Sequence, residues 1–272
     1  YNNRIQKRSN TLPNLSILAQ LQHNPAEAEL LEKAIIPVTY LEEFSNTDQQ
    51  YIRRVLDIII SGQTLDLKRF THASPNTILA LNKEDELDDY TYRVAGCVGE
   101  FWTHLCLNHL FEVDAAKEAQ LFENAVLFGK ALQLVNILRD LPEDLRAGRC
   151  YIPASLLSEQ NLKPNDLLNH QNIDRFQPIY NSYLKKTVDY FNAAATYINM
   201  LPFSQFRMRG ACTLPVILGL KTVTLLQQTN ILKNENRIKV SRPDVKLMMR
   251  QTILALSSPK RTQKLISLYR DA

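Results

Sequence analysis

Apolar residues recur along this chain at helical spacing, and prolines divide the recurrence into segments. In "NPAEAELL", Asn24 is placed to cap a helix, Pro25 takes its first position and Glu27 stands three residues after the cap. In "SNTDQQYIRRVLDIIISG", Thr47 and Gln50 are spaced as a capping pair. Ile52, Val55, Ile59 and Ile60 then make one apolar face. Longer helices are predicted from about Glu86 to Phe111 and from about Ala115 to Leu141, with two more through residues 174–199 and 208–228. "SRPDVKLMMRQTILAL" closes the series, with Ser241 and Asp244 spaced for a cap around Pro243. Strand-like alternation is nearly absent, and only "NRIKVS" is ambiguous. No repeats or low-complexity segments interrupt the pattern. It predicts an all-α helical bundle, read as one domain over residues 1–272.

Composition supports that architecture and limits the partners. Of the 272 residues, 45% are hydrophobic and 22% charged, enough to bury a large core, and seven glycines are few for a turn-rich β protein. A net charge of +4 with dispersed basic residues gives no reason to expect nucleic acid, so any anion binding must be local. Cys97, Cys106, Cys150 and Cys212 form no metal-binding spacing and read as reduced, buried thiols of a cytoplasmic protein. No uninterrupted apolar run reaches 18 residues, so no membrane-spanning helix is expected. The polar start "YNNRIQKRSNT", without a leading Met, reads as the cut edge of something longer.

The helix from Ala115 carries the chemistry. From Leu121 onward it is apolar on nearly every side, as a central helix is. Its polar residues are not scattered. At 100° per residue, Gln133, Asn136, Asp140 and Asp144 fall at about 0°, 300°, 340° and 20°, an arc of roughly 80°. The plain structural reading is that the two acids pair with Arg139, Arg146 or Arg149 and end the helix. That leaves Gln133 and Asn136 unexplained, since unpaired buried polar groups cost about 1–3 kcal/mol each. A polar pocket holding a cation explains all four, because carboxylates one turn apart can share a hard divalent ion with phosphate oxygens, which neighbouring arginines then grip. Pro142, between the acids, is expected to kink or break the helix, since it removes one hydrogen bond and crowds the Leu138 carbonyl.

"LQLVNILRDLPEDLRAGRCYIP" resembles the second aspartate-rich motif of the squalene/phytoene synthase family. "DDYTYRVAGCVGEFW" resembles its tyrosine and V-A-G-x-V-G signature, "RMRGACTLPVILGLKTVTLL" its downstream segment and "IKVSRPDVKLMM" its C-terminal basic turn. The matches run in family order over roughly residues 45–257, and within the family the chain looks most like a bacterial squalene synthase. The resemblance implies a class I isoprenoid synthase bundle around a central apolar cavity, and a head-to-head prenyltransferase. Two prenyl diphosphates, in this reading two farnesyl diphosphates, would give presqualene diphosphate and then squalene. Mg²⁺ would assist, with NADPH as reductant where squalene is the product. Phytoene and dehydrosqualene are the alternative products.

Carried over by position, Asp140 and Asp144 bind Mg²⁺ with Asn136, Gln133 lines the same end of the cavity, and Arg139 and Arg149 contact diphosphate. Tyr90 handles a proton or steadies the cation, unless it is only a packing aromatic at a helix start. Lys239 and Arg242 face a diphosphate or nicotinamide phosphate, or else simply solvent. Gly96 and Gly99 let two helices approach closely. The family's first acid motif, D-x-x-x-D, has no counterpart upstream of these matches. "DELDDY", with Asp85, Asp88 and Asp89, abuts Tyr90 and reads instead as an acidic first helical turn. The first motif is therefore expected on a segment preceding this chain, and a non-catalytic relative that binds a prenyl diphosphate or partner enzyme stays open. A hydrocarbon product makes a peripheral contact with a membrane surface compatible with this reading.

Overall fold

Among the short helices of the N-terminal region, the one with a side-chain cap at its N-cap residue is the one that the sequence marks. The computed structural model describes residues 2–7, 14–233 and 237–272, so the N-terminal "YNNRIQKRSNT" lies partly outside the described residues. Helices α1 (Asn2–Ile5), α2 (Ser16–Gln20), α3 (Pro25–Lys33) and α4 (Ile35–Tyr40) lead into the long α5 (Asn46–Arg69). Asn24 caps α3 as expected, its side chain accepting from the Ala26 N–H at 3.0 Å. The cap of α5 lies one frame earlier than expected. Ser45 Oγ, not Thr47, accepts from the Asp48 N–H at 3.1 Å, and donates back to the Asp48 carboxylate at 2.8 Å. Two overlapping capping patterns occur in "SNTDQQ", and the earlier one offers a carboxylate in the first turn. The chain divides by its internal packing into residues 1–61 and 62–272, the division falling within α5.

The second unit holds α6 (Glu84–Thr91), α7 (Cys97–His109), α8 (Ala115–Arg146), α9 (Ala154–Glu159), α10 (Ile173–Met200), α11 (Phe206–Gln227), α12 (Arg242–Ala255) and α13 (Pro259–Arg270). The helix predicted over 86–111 is present as α6 and α7, joined by a π-helical turn at Tyr92–Gly96. The core is centred on α8, which packs on α7, α10 and α11. Leu121, Leu138 and Leu141 of α8 and Phe176, Tyr180 and Leu184 of α10 are almost wholly removed from water. α8 touches α7 and the π-helical turn before it backbone to backbone. A methyl on Gly99 would lie 2.0 Å from the Ala125 carbonyl oxygen, and one on Gly129 would lie 2.2 Å from that of Ala95. Only glycine permits that approach.

Strand structure is confined, among the described residues, to one parallel pair of two-residue strands, β1 (Leu79–Ala80) and β2 (Arg149–Cys150). Gly148, at φ +83°, turns the chain from α8 into β2. "NRIKVS" is irregular over residues 237–240, and Asn236 lies outside the described residues. Ser241 caps α12 by accepting from the Asp244 N–H at 3.2 Å. All four cysteines are free and buried. One expectation changes. By length and composition α8 and α11 do reach what a membrane span needs, although neither contains an unbroken apolar run. Both are core helices, and their apolar residues are the ones that meet the rest of the bundle.

Candidate active site

Helix α8 does not break between its two acids. It runs to Arg146 with Pro142 inside it. The Leu138 carbonyl, which loses its donor to the proline ring, accepts instead from the buried Tyr180 hydroxyl on α10 at 3.1 Å. The expected interruption is thus prevented by a side chain 42 residues away, and the one-turn spacing of Asp140 and Asp144 survives. Gln133, Asn136, Asp140 and Asp144 lie along one face, with Asn136 exposed and the other three partly buried.

The two carboxylates differ. Asp140 is gripped by two guanidinium groups. Arg139 donates to it at 2.8 and 3.0 Å, and Arg237 donates through Nε at 2.7 Å and through a second, shorter contact. Burial pushes the Asp140 carboxyl up, but Arg139 and Arg237 together outweigh it and hold the group below its ordinary value. Arg139 also donates to the Asn136 side-chain oxygen at 2.9 Å. Asp144 receives no hydrogen bond or ion pair among the described residues. Burial, then the charge of Asp140, push its carboxyl up to about 7, with Arg149 opposing and Asp66 and Glu143 adding to the rise. The structural pairing expected for both acids therefore holds for Asp140 alone.

That asymmetry is the test of a metal. A partly buried carboxyl among other acids, with Arg149 alone opposing them, is a group whose ionised form is incompletely compensated, which a divalent ion would remedy. Two carboxylates and the Asn136 amide oxygen suit Mg²⁺, which keeps positions for water or phosphate oxygens. Among the described residues no three His, Cys, Asp or Glu side chains form a metal cage. Asp140 and the Asn136 oxygen accept from Arg139 in this structure, so an ion held here would share these donors with that guanidinium.

Beyond Asp144 lies a second cluster that local sequence pattern does not mark. Tyr90, near the end of α6, stacks on Tyr151 with ring centroids 5.0 Å apart. Tyr151 follows β2, and its hydroxyl donates to Asp66 of α5 at 3.0 and 3.2 Å. Arg149 lies 3.6 Å from the same Asp66 and 6.0 Å over the Phe70 ring. Burial raises the Tyr90 hydroxyl above its ordinary value, and the charges of Asp66 and Asp144 act in the same direction. Asp66 is itself raised, by burial, against the pull of Tyr151, Arg149 and Arg69.

On the other side of the polar face is an apolar cavity of about 400 Å³. α7 and the π-turn supply Val94, Val98 and Trp102, α8 supplies Phe128 and Leu132, and Tyr197 closes it from α10. Gln133 and Asn136 are its polar members on α8, two turns and one turn before Asp140 respectively. The volume lies within the roughly 300–1,000 Å³ of small-molecule sites.

Lys239 and Arg242 are exposed, and no contact joins them to this cluster among the described residues. The basic segment does reach the site, through Arg237, which spacing alone does not single out. "DELDDY" behaves as expected of an acidic helix start. Glu84, Asp85 and Glu86 form the first turn of α6, Asp88 meets Lys130 at 2.8 Å, and Asp89 meets Arg93 at 2.8 Å.

The fold and the site together define an all-α isoprenoid synthase. The sequence profile of the squalene/phytoene synthase family matches residues 12–244, and the chain belongs to that family, whose members are prenyltransferases. A 15-cis-phytoene synthase from Synechocystis sp. is 34% identical over 152 residues, covering 53% of this chain and 41% of that protein. A bifunctional lycopene cyclase/phytoene synthase from Arthroderma gypseum is 30% identical over 148 residues, 54% of this chain and 24% of that protein. The chain thus spans less than half the length of these curated relatives. TcSQS, solved with the ligand BPH1237, shares the fold with a TM-score of 0.73 at 16% identity, over 98% of this chain and 79% of that one.

Proposed function

We propose that the chain joins two prenyl diphosphates head to head, with farnesyl diphosphate as substrate and squalene, by way of presqualene diphosphate, as product. The observation that carries this reading is the continuity along one face of α8. The lining of the apolar cavity ends in Gln133 and Asn136, and one turn further along the same face stand Asp140, paired with Arg139 and Arg237, and then Asp144, in the field of Arg149. A prenyl chain suits the cavity, and its diphosphate suits the charged end. When bound, Mg²⁺ would neutralise diphosphate charge and so make it a leaving group. Asp140, Asp144 and Asn136 would hold the ion. Arg139, Arg149 and Arg237 would take phosphate oxygens as the allylic C–O bond breaks and the diphosphate leaves with the electron pair. Trp102, Phe128 and Tyr197 would line the path of the resulting carbocation, and Tyr90, stacked on Tyr151 beside Asp66, would handle a proton or steady the developing charge.

The phytoene synthase relatives support a second product assignment, in which geranylgeranyl diphosphate is condensed on the same site. Incubation of the full-length protein with labelled farnesyl or geranylgeranyl diphosphate and Mg²⁺, with and without NADPH, separates the two. Squalene formed from farnesyl diphosphate only with NADPH is the expected result, and phytoene selects the second assignment. No prenyl product would overturn the catalytic reading and leave a binding protein, whereas undiminished turnover in Asp140→Ala would remove Asp140 from the catalytic machinery.

A further inference from the structure

Helix α12 presents two unlike faces. Met248, Thr252 and Ala255 are buried, at 1%, 5% and 6% exposure. At 100° per residue, Arg242, Ile253, Lys246, Arg250, Leu254 and Leu247 follow one another around an outer arc of about 140°. That arc contains no acid and no aromatic residue. Ile253 is 67% and Leu254 71% exposed, high for large aliphatic side chains with no partner to cover them. The face continues onto α13 through an open groove of about 300 Å³, where Leu254, Leu265 and Leu268 meet Arg261 and Lys264. From residue 242 to 272 there are seven Lys or Arg and two acids. Both acids are engaged locally. Asp244 belongs to the Ser241 cap, and Asp271 pairs with Arg270 at 2.8 Å.

Long cationic stems interleaved with bare aliphatic groups suit a partner that is anionic at its surface and apolar just beneath. A protein partner would draw on aromatic anchors and discrete pockets at the centre of the patch, and α12 offers neither an aromatic residue nor an acidic rim. We propose that the outer face of α12, with the adjoining groove of α13, docks the enzyme on an anionic phospholipid bilayer. Apolar side chains would enter the headgroup boundary, while Lys246, Arg250, Arg261 and Lys264 meet lipid phosphates. The inference goes beyond the prenyl-transfer reading and is tested without any prenyl diphosphate, so that either can fail alone.

The test is co-sedimentation of the purified protein with vesicles of phosphatidylcholine, or of phosphatidylcholine containing about a quarter phosphatidylglycerol. Binding is expected to the anionic vesicles, and to weaken as salt is raised. Each cation lost from the face should cost about fivefold in partitioning, so Lys246→Glu/Arg250→Glu/Lys264→Glu should lose a hundredfold or more. Ile253→Ser/Leu254→Ser should weaken binding in low and high salt alike. Lys163→Glu/Lys185→Glu, at exposed charges outside α12 and α13, should change little. All these positions are exposed, so equal melting temperatures verify folding. Failure of the parent to bind anionic vesicles, or equal binding by the face variants, overturns the proposal. So does a parent that dimerises while the serine variant is monomeric, which would assign the face to a second copy.

Discussion

Two halves of α8 do opposite things with one continuous helix. From Ala125 to Leu132 it presents small and apolar side chains to a cavity and lets a neighbouring backbone come close at Gly129. From Asn136 to Asp144 the same face turns polar and gathers arginines. A carbocation formed from a prenyl diphosphate would be shielded from water in the first half, while its leaving group is held in the second. In the proposed reaction, charge would be concentrated where the C–O bond breaks and excluded where the cation travels. The largest expected effect belongs to the polar half. Asp140→Asn should lower kcat by about 10²–10³-fold, the scale of losing one preorganised electrostatic group, with little change in melting temperature. Steady-state kinetics that show only a raised KM would mean that Asp140 binds substrate without assisting ionisation.

The apolar half should fail through packing. Gly129→Val places its Cβ close to the Ala95 carbonyl, at a position where even a methyl would lie 2.2 Å from the oxygen. Separating α7 from α8 should cost about 1–3 kcal/mol, read as a lower melting temperature and a cavity that no longer takes up a prenyl analogue. An unchanged melting temperature would show that the close approach is not needed to form the cavity.

What the sequence reveals of this site follows from locality. The stripe Gln133–Asn136–Asp140–Asp144 is legible because helical period alone puts it on one face. Asp66, Tyr151 and Arg237 are not, because α5, the residue after β2 and an irregular segment bring them in, and no spacing links those positions. Lys239 and Arg242 look equally suitable in the sequence, yet no contact joins them to the site among the described residues, while Arg237, equally exposed, reaches Asp140. The α5 cap differs from the expected one for a related reason. Ser45 and Thr47 both head a three-residue capping spacing, and the chain's entry into the helix decides between them. The helix order itself is legible almost throughout, since amphipathic period and proline positions are local signals.

The two carboxylates sharpen the comparison within the polar half. The Asp144 carboxyl has an ordinary value of 3.8 and sits at about 7 in the folded chain. Between those values the fold keeps a proton that the unfolded chain has released. Its stabilising contribution is therefore full below about pH 3.8 and is lost as pH rises towards 7. Asp144→Asn removes this titration. Without metal, the variant should melt higher than the parent at pH 8 and equally at pH 4, and Mg²⁺ with diphosphate should narrow the gap at pH 8 by stabilising only the parent. Parallel melting curves across that range would remove the case for an uncompensated carboxylate, and with it the structural argument for a cation there.

The smallest expected effect tests why the two halves share one helix at all. Pro142 should interrupt α8, and it does not, because Tyr180 supplies the donor that the proline lacks. Tyr180→Phe leaves the Leu138 carbonyl without a partner in a buried setting, at about 1 kcal/mol, or a fall in Tm of about 2–4 °C for a unit of this size. In a Pro142→Ala background the backbone N–H at position 142 is restored and can bond Leu138 directly. The same Tyr180→Phe change should then cost almost nothing, and the difference between the two backgrounds is the coupling energy of the cycle. Were the cost equal in both, the hydroxyl would matter for reasons of its own site on α10. The continuity of α8, and so the register between cavity and carboxylates, would then rest on the packing of Leu138 and Leu141 against that helix rather than on one substituted hydrogen bond.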